Sequence, residues 1–380
     1  MPEPRRTLII YQYYHHHEMV EKMVRLVGER GIKVDVLCWD NFKYSGCSLR
    51  GLLGLFHRIV EGRRGRFSSR VIRKLMGGWI IRRVITQHDL VDFHAYSECY
   101  LPLIKYCVRR SVPFDITLWG SDIMRADAQS AERKEYGFVH CRYIKSLDNI
   151  QRVVSLKYEK RFAAKYKTVF WGNNGYDVID SVRALFPDVE SIKQAFIPDA
   201  ANRIVITCGY NGSPSQNHLR ILNAIGALPD DVFDSIFLML PLTYGASESY
   251  VCEVEDSVRR IGVPYSLYSS RLSYEDVARM RLVSDVVVNM QDTDAFSGSL
   301  QEHLYCGNVL LVGEWLDYAQ LDNNGVYYKK TSFDVLSSDV ADVIGALGDY
   351  KRKCQDNHLR MRGLTSWDAV IGAWAETYKC

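Results

Sequence analysis

Arg203-Ile-Val-Ile-Thr-Cys208 runs directly into Gly209-Tyr210-Asn211-Gly212-Ser213-Pro214-Ser215-Gln216-Asn217-His218, and apolar helical spacing follows to Leu228. A β-prone apolar run, a small polar loop and a helix in succession are the opening of a βαβ unit. The pattern repeats downstream. Ser235–Leu240 reads as a strand, Glu248–Ile261 as a helix, Tyr265–Leu267 as a strand and Tyr274–Leu282 as a helix. Val286–Asn289 and Val309–Val312 read as strands on either side of a helix beginning at Glu302. Upstream, Thr7–Tyr11, Lys33–Cys38, Leu90–Phe93, Phe114–Trp119, Val153–Ser155 and Thr168–Trp171 read as strands. Such alternation implies parallel sheets covered by helices. The expected class is α/β, with two facing doubly wound, Rossmann-like domains.

The stretch from Tyr176 to Asn202, with Pro187 and Pro198, breaks the rhythm. The expected division is therefore a first domain over 1–185, a linker over 186–202 and a second domain over 203–365. An amphipathic segment over 366–380 is expected to cross back to the first domain.

Composition excludes several classes. A net charge of +3 is too small to argue for nucleic acid. No apolar run reaches the ~18 residues that a spanning helix needs. Ten scattered cysteines form no CxxC pair, and nothing resembling a signal peptide precedes the first strand, so a reducing cytoplasm is expected. Between Arg50 and Arg83, ten basic residues and one acid, Glu61, alternate with large apolar residues. Such a basic amphipathic stretch suits the surface of an anionic membrane, and the competing reading is a solvated helix face. The localisation expected is cytoplasmic, peripheral on the inner face of the membrane.

Open α/β sheets bind ligands beyond the carboxyl ends of their strands. In the loop after Cys208, Gly209, Asn211, Gly212 and Ser213 present small residues whose backbone N–H groups suit phosphate, and Asn217 or Ser215 suits the cap of the next helix. The loop lacks the Walker and dinucleotide glycine patterns, and an ordinary strand-to-helix turn accounts for it equally. Tyr244, in Pro241-Leu-Thr-Tyr-Gly245, is placed to stack on a base or bond a phosphate. Asp294 and Glu302 are eight residues apart across Ser297, Gly298 and Ser299, a spacing that offers an anion site and a carboxylate for ribose hydroxyls; a solvated helix face is the alternative.

In the first domain, Asp122 and His94 are candidates for the base that deprotonates an acceptor hydroxyl. A turn-capping acid and a satisfied, half-buried histidine are the respective alternatives. Tyr96, Trp119 and His15 are candidate acceptor contacts. His15, His16 and His17 are neighbours and cannot all face one ion, so no metal site is assigned.

Three of these stretches resemble bacterial 4-acetamido-4,6-dideoxygalactose (Fuc4NAc) transferases: the run 209–218, the Pro241–Gly245 loop with Tyr250, and Leu118–Asp122, which is similar to their Trp-Gly-x-Asp motif. From 291 to 307 the chain departs from that group. There Asp294 and Glu302, with Cys306-Gly307, resemble the Glu-x7-Glu pattern of retaining GT-B families, with Asp in the first position. The resemblance implies a GT-B glycosyltransferase of bacterial surface-polysaccharide synthesis. It implies a nucleotide-sugar donor on the second domain, with Asp294 at the sugar and Glu302 at the ribose. A glycan or lipid-linked acceptor would lie on the first, and no metal cofactor is implied. A nucleotide-sugar epimerase and a non-catalytic sugar-nucleotide-binding module are the competing readings.

Overall fold

In the computed structural model, β1 (Thr7–Tyr11), buried along its whole length, reads as a continuous apolar run because helices cover both faces of a parallel sheet. The structure describes residues 6–11, 13–38, 78–94, 100–118, 152–153, 167–294 and 296–379. They fall into two units, 1–172 with 367–380, and 173–366.

In the first unit β1 is followed by α1 (Tyr13–Gly28), β2 (Val34–Cys38), α2 (Gly78–Ile85), β3 (Leu90–His94), α3 (Leu101–Arg110), β4 (Phe114–Leu118), β5 (Arg152–Val153) and β6 (Lys167–Thr168). The sheet is parallel in the order β2-β1-β3-β4-β5-β6. The C-terminal helix, Trp367–Lys379, belongs to this unit. Its Trp367, Ile371, Trp374 and Tyr378 recur at helical spacing and bury against Val20, Met23 and Val27 of α1 and against Trp171.

The second unit begins with α4 (Gly175–Arg183) and α5 (Val189–Phe196). These overturn the expected linker over 186–202 and move the unit boundary from 185 to 172. The prolines mislead because they punctuate helix ends rather than mark extended chain. Asp188, just after Pro187, caps α5 by accepting from Ser191 N at 2.8 Å, and Pro198 follows its end. Tyr176, Ile179, Val182 and Ile192 are buried. Lys193 Nζ reaches Asp285 Oδ2 at 3.1 Å, and that same oxygen accepts from Val205 N at 3.0 Å, which ties α5 to the sheet.

The elements that follow are β7 (Ile204–Cys208), α6 (His218–Ile225), α7 (Asp230–Phe233), β8 (Ile236–Pro241), α8 (Glu248–Ile261), β9 (Tyr265–Tyr268) and α9 (Tyr274–Val283). Then come β10 (Val286–Asn289), α10 (Gly298–Tyr305), β11 (Val309–Gly313), α11 (Ala319–Asn323), β12 (Lys329–Thr331), α12 (Leu336–Gly345), α13 (Leu347–Lys353) and α14 (Asn357–Thr365). The parallel order β12-β11-β10-β7-β8-β9 is the Rossmann arrangement, with the reversal between β7 and β10. No helix among the described residues is long and apolar enough to cross a membrane.

Candidate donor site at the carboxyl edge of the second sheet

Side by side in the sheet, β7 and β10 send their chains outward in opposite directions, so the loops after them, 209–217 and 290–297, meet over one crevice. Side-chain amides fasten them together. Asn217 Nδ2 donates to Met290 O at 2.8 Å and to Asp292 Oδ1 at 2.9 Å, and Asp292 N donates to Ser215 O at 2.9 Å. Gln291 Oε1 accepts from Gln216 Nε2 at 2.9 Å and from the Tyr210 hydroxyl at 3.0 Å. Asn217 sits in the left-handed region, φ +60°, and makes no side-chain cap on α6. The expected cap is therefore replaced by a loop-to-loop clamp, since in that conformation the amide points across to β10.

The loop after β8 closes the other flank. Gly212 N donates to Tyr244 O at 2.7 Å, and a Cβ on Gly212 would lie 2.6 Å from that of Ala246. Gly212→Val is expected to force the two loops apart, costing about 1–3 kcal/mol, with thermal denaturation as the measurement. Tyr244 itself is 63 % exposed, open to a partner.

The phosphate role expected of the loop after β7 does not fit its bonding. The amides of Gly209, Tyr210, Gly212 and Ser213 already donate to Val288 O, Gln216 Oε1, Tyr244 O and Asn211 Oδ1. They brace the loop. The other candidate for an anion is the start of α10, which begins at Gly298, four residues before the expected start at Glu302. Ser297 caps it, accepting from Leu300 N at 3.4 Å. Gly298 is exposed and Ser299 half-buried, at the positive end of the helix dipole.

Asp294 shapes the approach to that helix. It is 7 % exposed and accepts from the Tyr318 hydroxyl at 2.7 Å and from Ser297 N at 3.2 Å. Phe296 between them has φ +66°, a strained value for an aromatic residue, and is held by Gln301 Nε2 donating to its carbonyl at 2.9 Å. Asn173 Nδ2 ties the turn down further, donating to Gly298 O at 3.1 Å.

Glu302 lies in the second turn. Its Oε2 accepts from Arg281 Nε at 3.1 Å and its other oxygen packs on Gly175, where a Cβ would not fit. Burial pushes its carboxyl pKa up, and Arg281 pulls it back down.

Around this crevice, several buried polar atoms find no protein partner: His218 Nε2, Asn289 Oδ1, Gln291 Nε2, Ser299 Oγ and both ends of the Gln320 amide. All of them follow or end β7, β10 or β11 at the carboxyl edge. Buried polar atoms are normally paired, so their concentration at one edge suits a polar ligand. His218 also predicts a pH effect. Burial lowers its pKa to about 4, so the fold favours the neutral ring. Relative to an ordinary 6.5, stability should be full above pH 6.5 and fall by roughly 3 kcal/mol as pH drops from 6.5 to about 4. His218→Gln should flatten that part of the profile of urea denaturation against pH.

In the first unit His94 ends β3 and is 1 % exposed. Its Nε2 lies 2.9 Å from Asp92 Oδ2, among the rings of Trp171 and Trp374. The ring is thus buried and partnered. Asp122, Tyr96 and Trp119 lie outside the described residues, as do the side chain of His15 and residues 50–77 of the basic stretch.

The sequence reading missed Asn173, Gln291, Gln301, Trp315, Tyr318 and Gln320. Trp315, Tyr318 and Gln320 follow a strand, and the rule of carboxyl ends that found Tyr244 would have found them too.

No protein-family model matches the chain, and no curated protein matches it in sequence. Its fold is matched end to end. HepE of Anabaena, solved with UDP and glucose, is 14% identical, with 98% of this chain and 99% of that chain covered and a TM-score of 0.61. A glycosyltransferase from Rickettsia africae is 13% identical over 99% and 98%, with a TM-score of 0.68. Sucrose-phosphate synthase of Thermosynechococcus elongatus is 13% identical over 98% of each chain, with a TM-score of 0.65. The two parallel α/β units are those of GT-B glycosyltransferase structures.

Proposed function

We propose that the chain is a glycosyltransferase that moves a sugar from a nucleotide donor, bound at the carboxyl edge of the second sheet, to a glycan or lipid-linked acceptor. The observation that carries this reading is the convergence of unpartnered buried polar atoms with the open start of α10 at the β7/β10 reversal. The likeness to HepE, a structure solved with UDP and also with UDP-glucose, supports a nucleotide-sugar ligand.

In this reading the diphosphate rests on the amides of Gly298 and Ser299. As the bond from the sugar to the diphosphate breaks, negative charge grows on the leaving oxygen, and fixed amides and the helix dipole stabilise it without reorganising. Asp294 stands where the donor sugar emerges. A ribose contact by Glu302 would use a carboxylate already paired with Arg281. Asp122, from the Trp-Gly-x-Asp stretch, is the proposed base, and Tyr96, Trp119 and His15 are the proposed acceptor contacts. The chemistry is assigned to these side chains and amides, with no resident metal. The resemblance to Fuc4NAc transferases makes a deoxyhexosamine donor and a role in bacterial surface polysaccharide the finer proposal. The basic stretch 50–83 would then hold the protein at the inner membrane face, near a lipid-linked acceptor.

The test is a thermal-shift screen with UDP, GDP, dTDP and CDP. A ligand that binds only the folded state raises the melting temperature. One diphosphate should do so in the wild type and much less in Asp294→Ala. No shift from any of the four at saturating concentration would remove the donor site.

A further inference from the structure

We infer that Trp315 is the stacking platform for the pyranose ring of the donor, and so helps to decide which sugar the site accepts. The inference rests on the nucleotide-sugar reading above. Trp315 lies two residues past β11, at the same carboxyl edge as the loops of the donor site, and it is 40 % exposed. Exposed tryptophans usually turn freely, but this one is fixed. Its Nε1 donates to Gln291 O at 2.9 Å, and Gln291 is the residue whose side chain anchors the loop after β7. The ring lies over Gly313, where even a Cβ would come within 2.5 Å of it. Phe333 stacks beside it, with centroids 5.4 Å apart and planes at 23°, and the Arg220 guanidinium lies 3.4 Å from the Phe333 centroid.

Gly313, Phe333 and the Gln291 carbonyl therefore hold the indole, and two fifths of the residue stays exposed. An aromatic face is apolar and carries negative charge density, which suits the C–H face of a sugar ring while the hydroxyls stay free for polar partners. A ring already held in place pays little entropy when a ligand stacks on it. The donor sugar is the occupant favoured here because Trp315 is bonded to the residue that anchors the donor loops.

The test is calorimetric titration of the whole protein with UDP, GDP, dTDP and CDP and with UDP-glucose, GDP-mannose, dTDP-glucose and CDP-glucose. Wild type, Trp315→Ala and Trp315→Phe are compared, with melting temperatures as the control for folding. Trp315→Ala should weaken the nucleotide sugar about tenfold while leaving the matching nucleoside diphosphate within about twofold, and Trp315→Phe should recover most of the loss. Equal weakening of both ligands would place the base or the loop on Trp315 and overturn the inference, as would no weakening of either. Unchanged donor binding with slower transfer would move the ring to the acceptor and overturn it too. If no nucleotide or nucleotide sugar binds the wild type, the donor-site reading itself falls, and this inference with it.

Discussion

Trp374→Ala is expected to lower the stability of the first unit by about 3–5 kcal/mol, the cost of truncating a buried tryptophan. Trp374 is fully buried and sits 4.5 Å from the ring of Trp171 and 6.2 Å from that of Tyr378, centroid to centroid. Its Nε1 donates to Phe170 O at 3.0 Å, so alanine would leave a cavity and remove that bond. The helix that carries it is separated in sequence from the rest of the unit by the whole of 173–366. The Tyr378 hydroxyl donates to buried Asp92 Oδ2 at 2.8 Å, which joins the helix end to β3. Loss of Trp374 should therefore loosen that attachment and shift one of two urea transitions, with the other unmoved. A change under about 1 kcal/mol in both would mean that the helix is peripheral to the fold of the first unit.

Asp294→Ala should reduce sugar transfer by about a hundredfold or more, with a smaller effect on overall stability. The carboxylate holds Tyr318 and the amide of Ser297, and through them the strained turn at Phe296 that aims the first amides of α10. Removing it should let that turn relax to an ordinary conformation and displace the proposed anion site without touching the sheet. Asp294→Asn keeps an acceptor oxygen and the size of the side chain, so it should retain more turnover than alanine. Steady-state release of nucleoside diphosphate is the measurement. Turnover in Asp294→Ala within about threefold of wild type would remove Asp294 from the site.

The alternation of strands and helices from Thr7 onward was readable because buried parallel strands are apolar on both faces and their helices are not. The loops after β7, β8 and β10 were readable for a related reason: small polar residues just past an apolar run mark the carboxyl edge. The sequence could not reveal which loops meet. The reversal between β7 and β10 depends on strand order, and Gln291 finds Gln216 across 75 residues of chain. Backbone bonding was hidden as well. The run 209–213 looks suited to phosphate by composition, but the amides of Gly209, Tyr210, Gly212 and Ser213 are spent on bracing. Prolines at 187 and 198 suggested a linker because breakers at helix ends and breakers in extended chain look alike until the burial of Ile179, Val182 and Ile192 is known.

A crystal grown with the nucleoside diphosphate that raises the melting temperature most would test the central claim directly. The diphosphate should lie against the amides of Gly298 and Ser299 at the start of α10, with its next substituent directed past Asp294. A diphosphate bound on the first unit, or on the second unit away from the β7/β10 reversal, would contradict the account.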